Sequence, residues 1–145
     1  MLLDSMRSLL GVAVVSVWLA RALSTIGSAA QAPPGSDGWL IPAGAATESN
    51  TAPRDPQALA RGRSLYSAKC QRCHGADGTG HGPEADPEHP AGDLTDPRVA
   101  ARNPDGVMFY KIWNGRAKPK MPAMKLDLPR SDVWLVIQYA KTLRK

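Results

Sequence analysis

The chain has 145 residues and a mass of 15.5 kDa, which is enough for one domain with additional segments. Its 43% hydrophobic and 21% charged residues exclude a disordered or fibrous protein, its 13 glycines and 13 prolines predict a loop-rich fold, and its two cysteines exclude a framework of several disulfides. The net charge of +5 is mildly basic, without the dense cationic run of a nucleic-acid-binding tail.

Residues 1–30 have the pattern of a signal peptide. Arg7 precedes an apolar stretch at residues 8–20, which is shorter than the ~20 residues of a membrane span. Small side chains follow, and cleavage is expected after Ala30. The alternative is an uncleaved anchor that continues past Arg21. Both interpretations send the rest of the chain across the membrane, so a periplasmic location is predicted.

Residues 31–53 are rich in Pro, Gly, Ala, Ser, Thr and Asn, which predicts a flexible linker or N-terminal arm before a domain at residues 54–145. The exceptions are Trp39, Leu40 and Ile41. These three are expected to pack onto the domain or onto a partner. The alternative is a local apolar spot without a role.

The first helix of the domain is predicted to begin at Asp55 and Pro56, because aspartate can cap free N–H groups and proline needs no hydrogen-bond donor at the first helical position. It is predicted to run into Cys70. The residues on or beside its buried face at helical spacing are Leu59, Gly62, Leu65 and Tyr66.

Two later helices are predicted. One begins with Asn103 as a cap, followed by Pro104, and ends at Asn114 and Gly115. The other runs from about residue 129 to 143. The apolar residues of the first of these are Val107, Met108, Tyr110, Ile112 and Trp113, and the buried face of the second is Val133, Val136, Ile137 and Ala140.

The stretches between the helices, residues 75–98 and 115–128, have no periodic pattern, and no strand pattern or repeat is visible. An all-α class is therefore predicted. A domain of ~90 residues with this much loop buries too little apolar surface to be stable alone. We therefore expect a bound group to complete its core.

Cys70, Cys73 and His74 form a C-x-x-C-H motif, which is the attachment motif of c-type haem. Two thiols at this spacing can add to the two vinyl groups on one edge of a porphyrin. The adjacent histidine is then held under the iron and ligates it. One covalently attached haem c is therefore the predicted cofactor, and it would supply the missing core.

Two other interpretations of the motif are weaker. A redox disulfide would fit a thioredoxin-like βαβ context, which the sequence lacks. A structural zinc needs four ligands, and adding His81 or His89 to the motif gives an unusual spacing.

The iron of such a haem takes a sixth ligand or keeps that position open. The candidate ligands are Met108, Met121, Met124, His81 and His89. Met108 is assigned to the core, and the two histidines are assigned to solvent in an acidic, glycine-rich loop. Met121 is preferred because Pro119 and Pro122 stiffen the loop around it, and a weak thioether ligand must be held in place. Met124 is the alternative.

These features resemble a class I monohaem cytochrome c over about residues 54–145. In that family the haem motif ends the first helix, and a methionine followed by Pro-Ala in a late loop is the distal ligand, as at Met121. A glycine and an aromatic residue often mark the crossing of the first and last helices, matched here by Gly62 and Tyr66, with Tyr139 on the last helix. The resemblance implies a small all-α domain around one haem.

Ligation by both His74 and Met121 leaves no coordination position for a substrate, which predicts electron transfer and no catalytic activity. The chain would be a periplasmic carrier or a cytochrome subunit of a respiratory or dehydrogenase complex. The alternative is a haem enzyme or gas-binding protein with an open distal site.

Charge is unevenly distributed, with −4 over residues 31–97 and +8 over residues 98–145. The resemblance implies that the methionine loop lies near the exposed haem edge, where a basic surface would steer an acidic redox partner. The basic residues around this loop are Arg116, Lys118, Lys120 and Lys125. The alternative is a generic solubilising surface.

No nucleic acid is expected, and membrane contact is expected only through the N-terminal segment or a membrane-bound partner. Arg98 and Arg102 are candidates to neutralise the haem propionates.

Overall fold

The computed structural model describes residues 38–145, so the predicted signal peptide and the first part of the predicted arm lie outside the described residues. The elements in chain order are a 3-10 helix at Ala43–Thr47, α1 at Pro56–Lys69, α2 at Gln71–His74, α3 at Pro97–Arg102, α4 at Asp105–Asn114 and α5 at Arg130–Thr142. Over residues 38–145 the extended pairing is limited to an isolated bridge between Arg116 and Met121. The predicted all-α class is confirmed. None of the helices in this range has the length and apolar composition needed to span a membrane.

Helix α1 begins and ends where the sequence predicts. The Asp55 carboxylate accepts a hydrogen bond from the Ala58 N–H at 2.8 Å, which caps the first turn. Gly62 and Tyr66 are buried as expected. Leu59 is 37% exposed, so its assignment to the buried face is wrong. The contacts of α1 are mainly with α5, and Leu59 lies one turn before the residues at that crossing.

Helix α4 matches its predicted range, but Asn103 does not cap it. The Asn103 Nδ2 atom donates to the Val99 carbonyl at 2.6 Å, while Pro104 takes the N-cap position without a side-chain hydrogen bond. The reason is that α3, which the sequence did not predict, ends just before Asn103. The asparagine therefore satisfies a carbonyl at the end of α3.

Helix α5 crosses α1 at very short range. A Cβ atom on Gly62 would collide with the Leu135 carbonyl, so only glycine permits this approach. One turn further along, the Tyr66 and Tyr139 rings lie 5.3 Å apart. All of the predicted buried face of α5 is buried, namely Val133, Val136, Ile137 and Ala140. On its other side, α5 packs on α4 through Phe109 and Trp134, whose ring centroids are 4.3 Å apart.

The described part of the predicted arm, residues 38–53, lies against the domain, and we call it the N-terminal strap. Its 3-10 helix packs on α4 at Gly106, where a Cβ atom would collide with the Ala45 and Glu48 carbonyls. Trp39 at its start is only 7% exposed. A segment with this many contacts differs from the flexible arm expected from its composition, because its few apolar and amide side chains find partners on α4 and α5.

The loop from residue 75 to 98 is irregular, as expected, yet it is held by a repeated local contact. Four of its aspartates each accept a hydrogen bond from the backbone N–H two residues ahead, at 2.7–3.1 Å. They are Asp77, Asp86, Asp93 and Asp96. Such Asx turns fix a backbone without helix or strand, so the loop can present a defined surface to the neighbouring site.

Candidate haem site

A cavity of about 540 Å³ lies between the end of α1, helices α4 and α5, and the two long loops. Its volume falls within the range of about 300–1,000 Å³ that is typical of ligand and cofactor pockets. The predicted site residues that line it together are Cys70, Cys73, His74, Met121 and Met124. The structure thus brings together residues that are up to 54 positions apart in the sequence.

The two cysteines lie in the turn between α1 and α2, with no disulfide between them. The turn is closed by hydrogen bonds from the Cys73 and His74 N–H groups to the Cys70 carbonyl, at 3.1 and 2.9 Å. Burial raises the pKa of the Cys70 thiol to about 12, and the nearby Cys73 adds to this. An activated cysteine needs a lowered thiol pKa, so Cys70 is not an activated nucleophile.

The imidazole of His74 is arranged as a neutral ligand. Burial lowers the pKa of His74, against a smaller opposing effect of the Gly92 carbonyl. The His74 Nδ1 atom lies 3.2 Å from that carbonyl oxygen. Because a carbonyl can only accept, Nδ1 must carry the proton, which leaves the Nε2 lone pair for a metal. Next to it, the Tyr66 hydroxyl donates to the Gly75 carbonyl at 2.8 Å and ties the motif to α1.

Met121 and Met124 differ in their surroundings. Met121 is partly buried, and its backbone exchanges two hydrogen bonds with Arg116, at 2.8 and 2.9 Å. Met124 is 8% exposed and belongs to the hydrophobic core, and its N–H donates to the Ile112 carbonyl at 3.0 Å. Gly115 starts the loop with a φ of 59°, and a Cβ atom there would collide with the Met121 carbonyl. The loop is therefore held rigidly around Met121.

The other candidate ligands are placed as the sequence predicts. Met108 is 9% exposed, lies in the core and lines the cavity. His81 and His89 are exposed; His89 lies at the cavity rim with its Nδ1 atom 3.3 Å from the Asp86 carboxylate. Within residues 38–145, no three His, Cys, Asp or Glu side chains are grouped in a way that could hold a metal ion. A structural zinc therefore has no ligand set in the described part of the chain.

The cavity is lined by more cationic than anionic side chains. The cations are Lys69, Arg72, Lys111, Arg116, Lys120 and Arg144, and the anions are Glu84 and Asp86. Arg98 and Arg102 do not line it, and Arg98 pairs with Asp96 at 2.9 Å, so the structure does not bring the sequence-based candidates for the propionates to the cavity. In addition, the buried Oδ1 atom of Asn103, which also lines the cavity, has no hydrogen-bond partner.

These residues fit a haem. Two thiols and an imidazole stand at one side of the cavity, two thioethers stand among its lining residues, and the cations suit a group with two carboxylates. Sequence reasoning expected Trp39 to pack onto the domain or a partner, but it did not assign Trp39, Lys111, Asn103 or Arg144 to this cavity. The isolated apolar group at Trp39 was the one signal that could have indicated a packing site, and no local pattern pairs it with α4.

Comparison with known proteins identifies the class. Residues 57–139 match the family model described as cytochrome c oxidase, cbb3-type, subunit III, and the chain belongs to this family. It is a monohaem c-type cytochrome with one covalently attached haem c and its iron. Its function is haem-based electron transfer. No curated protein sequence matches the chain.

Two solved structures are similar to this chain. One is described as KustC0563 c-type cytochrome; it is 24% identical, with a TM-score of 0.49 and coverage of 58% of this chain and 98% of that one. The other is described as the Kuenenia stuttgartiensis reducing HAO-like protein complex Kustc0457/Kustc0458; it is 22% identical, with a TM-score of 0.55 and 64% of this chain covered. This chain spans 46% of that one, and the likeness is one of fold.

Proposed function

We propose that the chain is an electron carrier or cytochrome subunit of a respiratory complex, with His74 and Met121 as the two axial ligands of its haem iron and Cys70 and Cys73 as the attachment points. The observation that carries this proposal is that all four side chains line one cavity. The haem iron, when bound, supplies one-electron exchange between the ferrous and ferric states.

The protein residues would bind and hold this group without taking part in bond chemistry. The Gly92 carbonyl orients the His74 ring through Nδ1. The backbone bridge with Arg116 holds Met121 in its loop. A site fixed from both sides changes little in geometry when an electron arrives, and occupation of both axial positions would exclude small ligands from the iron.

Met121 is preferred over Met124 as the distal ligand because the two side chains differ in burial. Met124 is a core residue, while Met121 is only packed against the edge of the core. A side chain that fills the core cannot leave it without opening a void. Met121 can turn toward a metal at smaller cost.

The surroundings of the methionine loop support docking of a redox protein. Lys118, Lys120 and Lys125 are exposed, and Lys120 lies at the cavity itself together with Arg116. Positive charge at this place would attract an acidic partner and align it with the haem. Export to the periplasm, directed by residues 1–30, is part of this proposal. The family description names an oxidase subunit, which supports a respiratory role.

The axial ligand is tested with Met121→Leu and the matched variant Met124→Leu, since leucine keeps most of the volume of methionine. We expect the Met121 variant to lose the methionine-to-iron absorption band, to show a lower reduction potential and to bind carbon monoxide in the ferrous form. The Met124 variant and the unaltered protein should keep the band and exclude carbon monoxide. The reverse result would make Met124 the ligand. Binding of carbon monoxide by the unaltered protein would favour an open distal site instead.

A further inference from the structure

Trp39 lies outside the sequence range that matches the family, yet it lines the haem cavity. It stands near the start of the N-terminal strap, eighteen positions before residue 57. Trp39 is 7% exposed and reaches the cavity from outside this matched range, so its contact with the cavity is not part of the haem motif.

The indole ring of Trp39 contacts two cations of the same cavity. The Arg116 guanidinium lies 4.6 Å from the ring centroid and the Lys111 ammonium lies 5.2 Å from it, both within the range of a cation–π contact. Arg116 is further fixed by its Nε atom, which donates to the Pro119 carbonyl at 3.0 Å. Trp39 and its two ring partners therefore all line the same cavity.

We propose that the N-terminal strap is part of the haem-binding site, and that Trp39 is a positioning residue that holds Arg116 and Lys111 toward a haem propionate. A cation–π contact attracts a cation through the quadrupole of the ring and leaves the cation's charge in place. A cation held in this way keeps its charge and can stabilise a carboxylate in addition to its other partners. The inference requires only that the haem lies in this cavity, and it does not depend on which methionine is the distal ligand.

The strap is anchored firmly enough for this role. The Asn50 Nδ2 atom donates to the Trp134 carbonyl at 3.0 Å, and Gln138 Nε2 donates to the Ala52 carbonyl at 2.8 Å. Glu48 pairs with Arg130. These contacts join the strap to α5 at residues that follow Trp39 in the chain, so the segment that carries the ring is fixed to the domain.

The test is a double-mutant cycle on the haem-loaded protein, with Trp39→Ala, Arg116→Gln and the two combined, read out as the reduction potential. A cation near the haem favours the reduced form, which carries one less positive charge, so its loss lowers the potential. We expect both single variants to shift the potential in the negative direction while the methionine-to-iron band stays. The combined variant should shift the potential by less than the sum of the two single shifts, because part of the effect of Trp39 acts through Arg116.

The matched control is Leu40→Ala, the neighbouring residue, which is 63% exposed. It should leave the potential unchanged. If Trp39→Ala does not accumulate with haem, Trp39→Phe enters the same cycle, since phenylalanine keeps an aromatic face that binds cations less strongly. A Trp39 variant with an unchanged potential would overturn the proposal, and so would shifts that are fully additive. Loss of the methionine band in Trp39→Ala would instead show that the strap supports the distal loop, and would also overturn it.

Discussion

The Leu135 carbonyl of α5 faces Gly62 of α1 so closely that a Cβ atom on Gly62 would collide with it. Overpacked cores typically lose about 1–3 kcal/mol. We expect Gly62→Ala to lower the free energy of unfolding by this amount or more, because the colliding Leu135 carbonyl belongs to the backbone and cannot rotate away. Denaturant unfolding of the ferric protein measures this loss. Gly44→Ala is the matched control, since a Cβ atom there meets nothing within 4 Å. Equal losses in both variants would contradict the assignment of this crossing.

Helix ends were predictable from the sequence because their signals are local. Asp55 and Pro56 mark the start of α1, and Gly115 marks the end of α4, through contacts that reach only a few residues. The haem motif was recognisable for the same reason. Its partners across the cavity were assigned from side-chain chemistry, and the structure brings Met121 to the same cavity.

Long-range packing was not predictable in the same way. The composition of the strap indicates flexibility, and nothing local indicates that Trp39 meets α4 or that Asn50 meets α5. Helix α3 was missed because six residues are too few to show a helical period. The Asx turns of the loop at residues 75–98 do have a local signal, since each aspartate stands two residues before the N–H that it binds.

The glycine at position 80 is expected to control the orientation of His74. Gly80 has a φ of 88°, and a Cβ atom there would collide with the Ala91 carbonyl, next to the Gly92 carbonyl that lies 3.2 Å from His74 Nδ1. Gly80→Ala should cost about 1–3 kcal/mol of stability from the backbone conformation alone. It should also shift the NMR signals of the His74 ring in the haem-loaded protein.

The matched control for this prediction is Gly44→Ala, because a Cβ atom on Gly44 meets nothing within 4 Å, its φ is not positive and it does not line the haem cavity. It should change neither stability nor the histidine signals. A Gly80→Ala protein that is destabilised but keeps unchanged His74 signals would contradict the prediction that Gly80 controls the orientation of the His74 ring.

The loop at residues 75–98 should lose stability in acid. The pKa of Asp77 is lowered chiefly by the Thr79 N–H, that of Asp86 by the Glu88 N–H, and that of Asp96 by the Arg98 side chain. A carboxylate whose pKa is lowered on folding stabilises the folded state above its ordinary pKa of 3.8, and this contribution disappears as the pH falls through the folded value. The protection factors of the loop amides against hydrogen exchange should therefore fall as the pH drops below about 4.

The comparison for this prediction is the triple variant with asparagine at these three positions, since the amide oxygen can still accept the backbone hydrogen bond. The variant should be less stable than the unaltered protein at pH 7, and the difference should shrink as the pH falls below 3.8. A difference that stays constant across this range would mean that these carboxylates do not contribute through their charge.

The basic surface around the methionine loop should control reactions with charged oxidants. Lys118 and Lys120 are exposed, and Lys120 lines the cavity. We expect Lys118→Glu with Lys120→Glu to slow oxidation by hexacyanoferrate(III) by about tenfold at low ionic strength, and to speed oxidation by the cationic tris(phenanthroline)cobalt(III). Stopped-flow rates at increasing salt should converge with those of the unaltered protein, because exposed charges are screened. Arg54→Glu with Arg63→Glu is the control of equal charge change at exposed positions that do not line the haem cavity. If the control variant slows oxidation by hexacyanoferrate(III) as much as the lysine variant does, net charge alone decides the rate. The methionine loop is then not the electron-transfer surface.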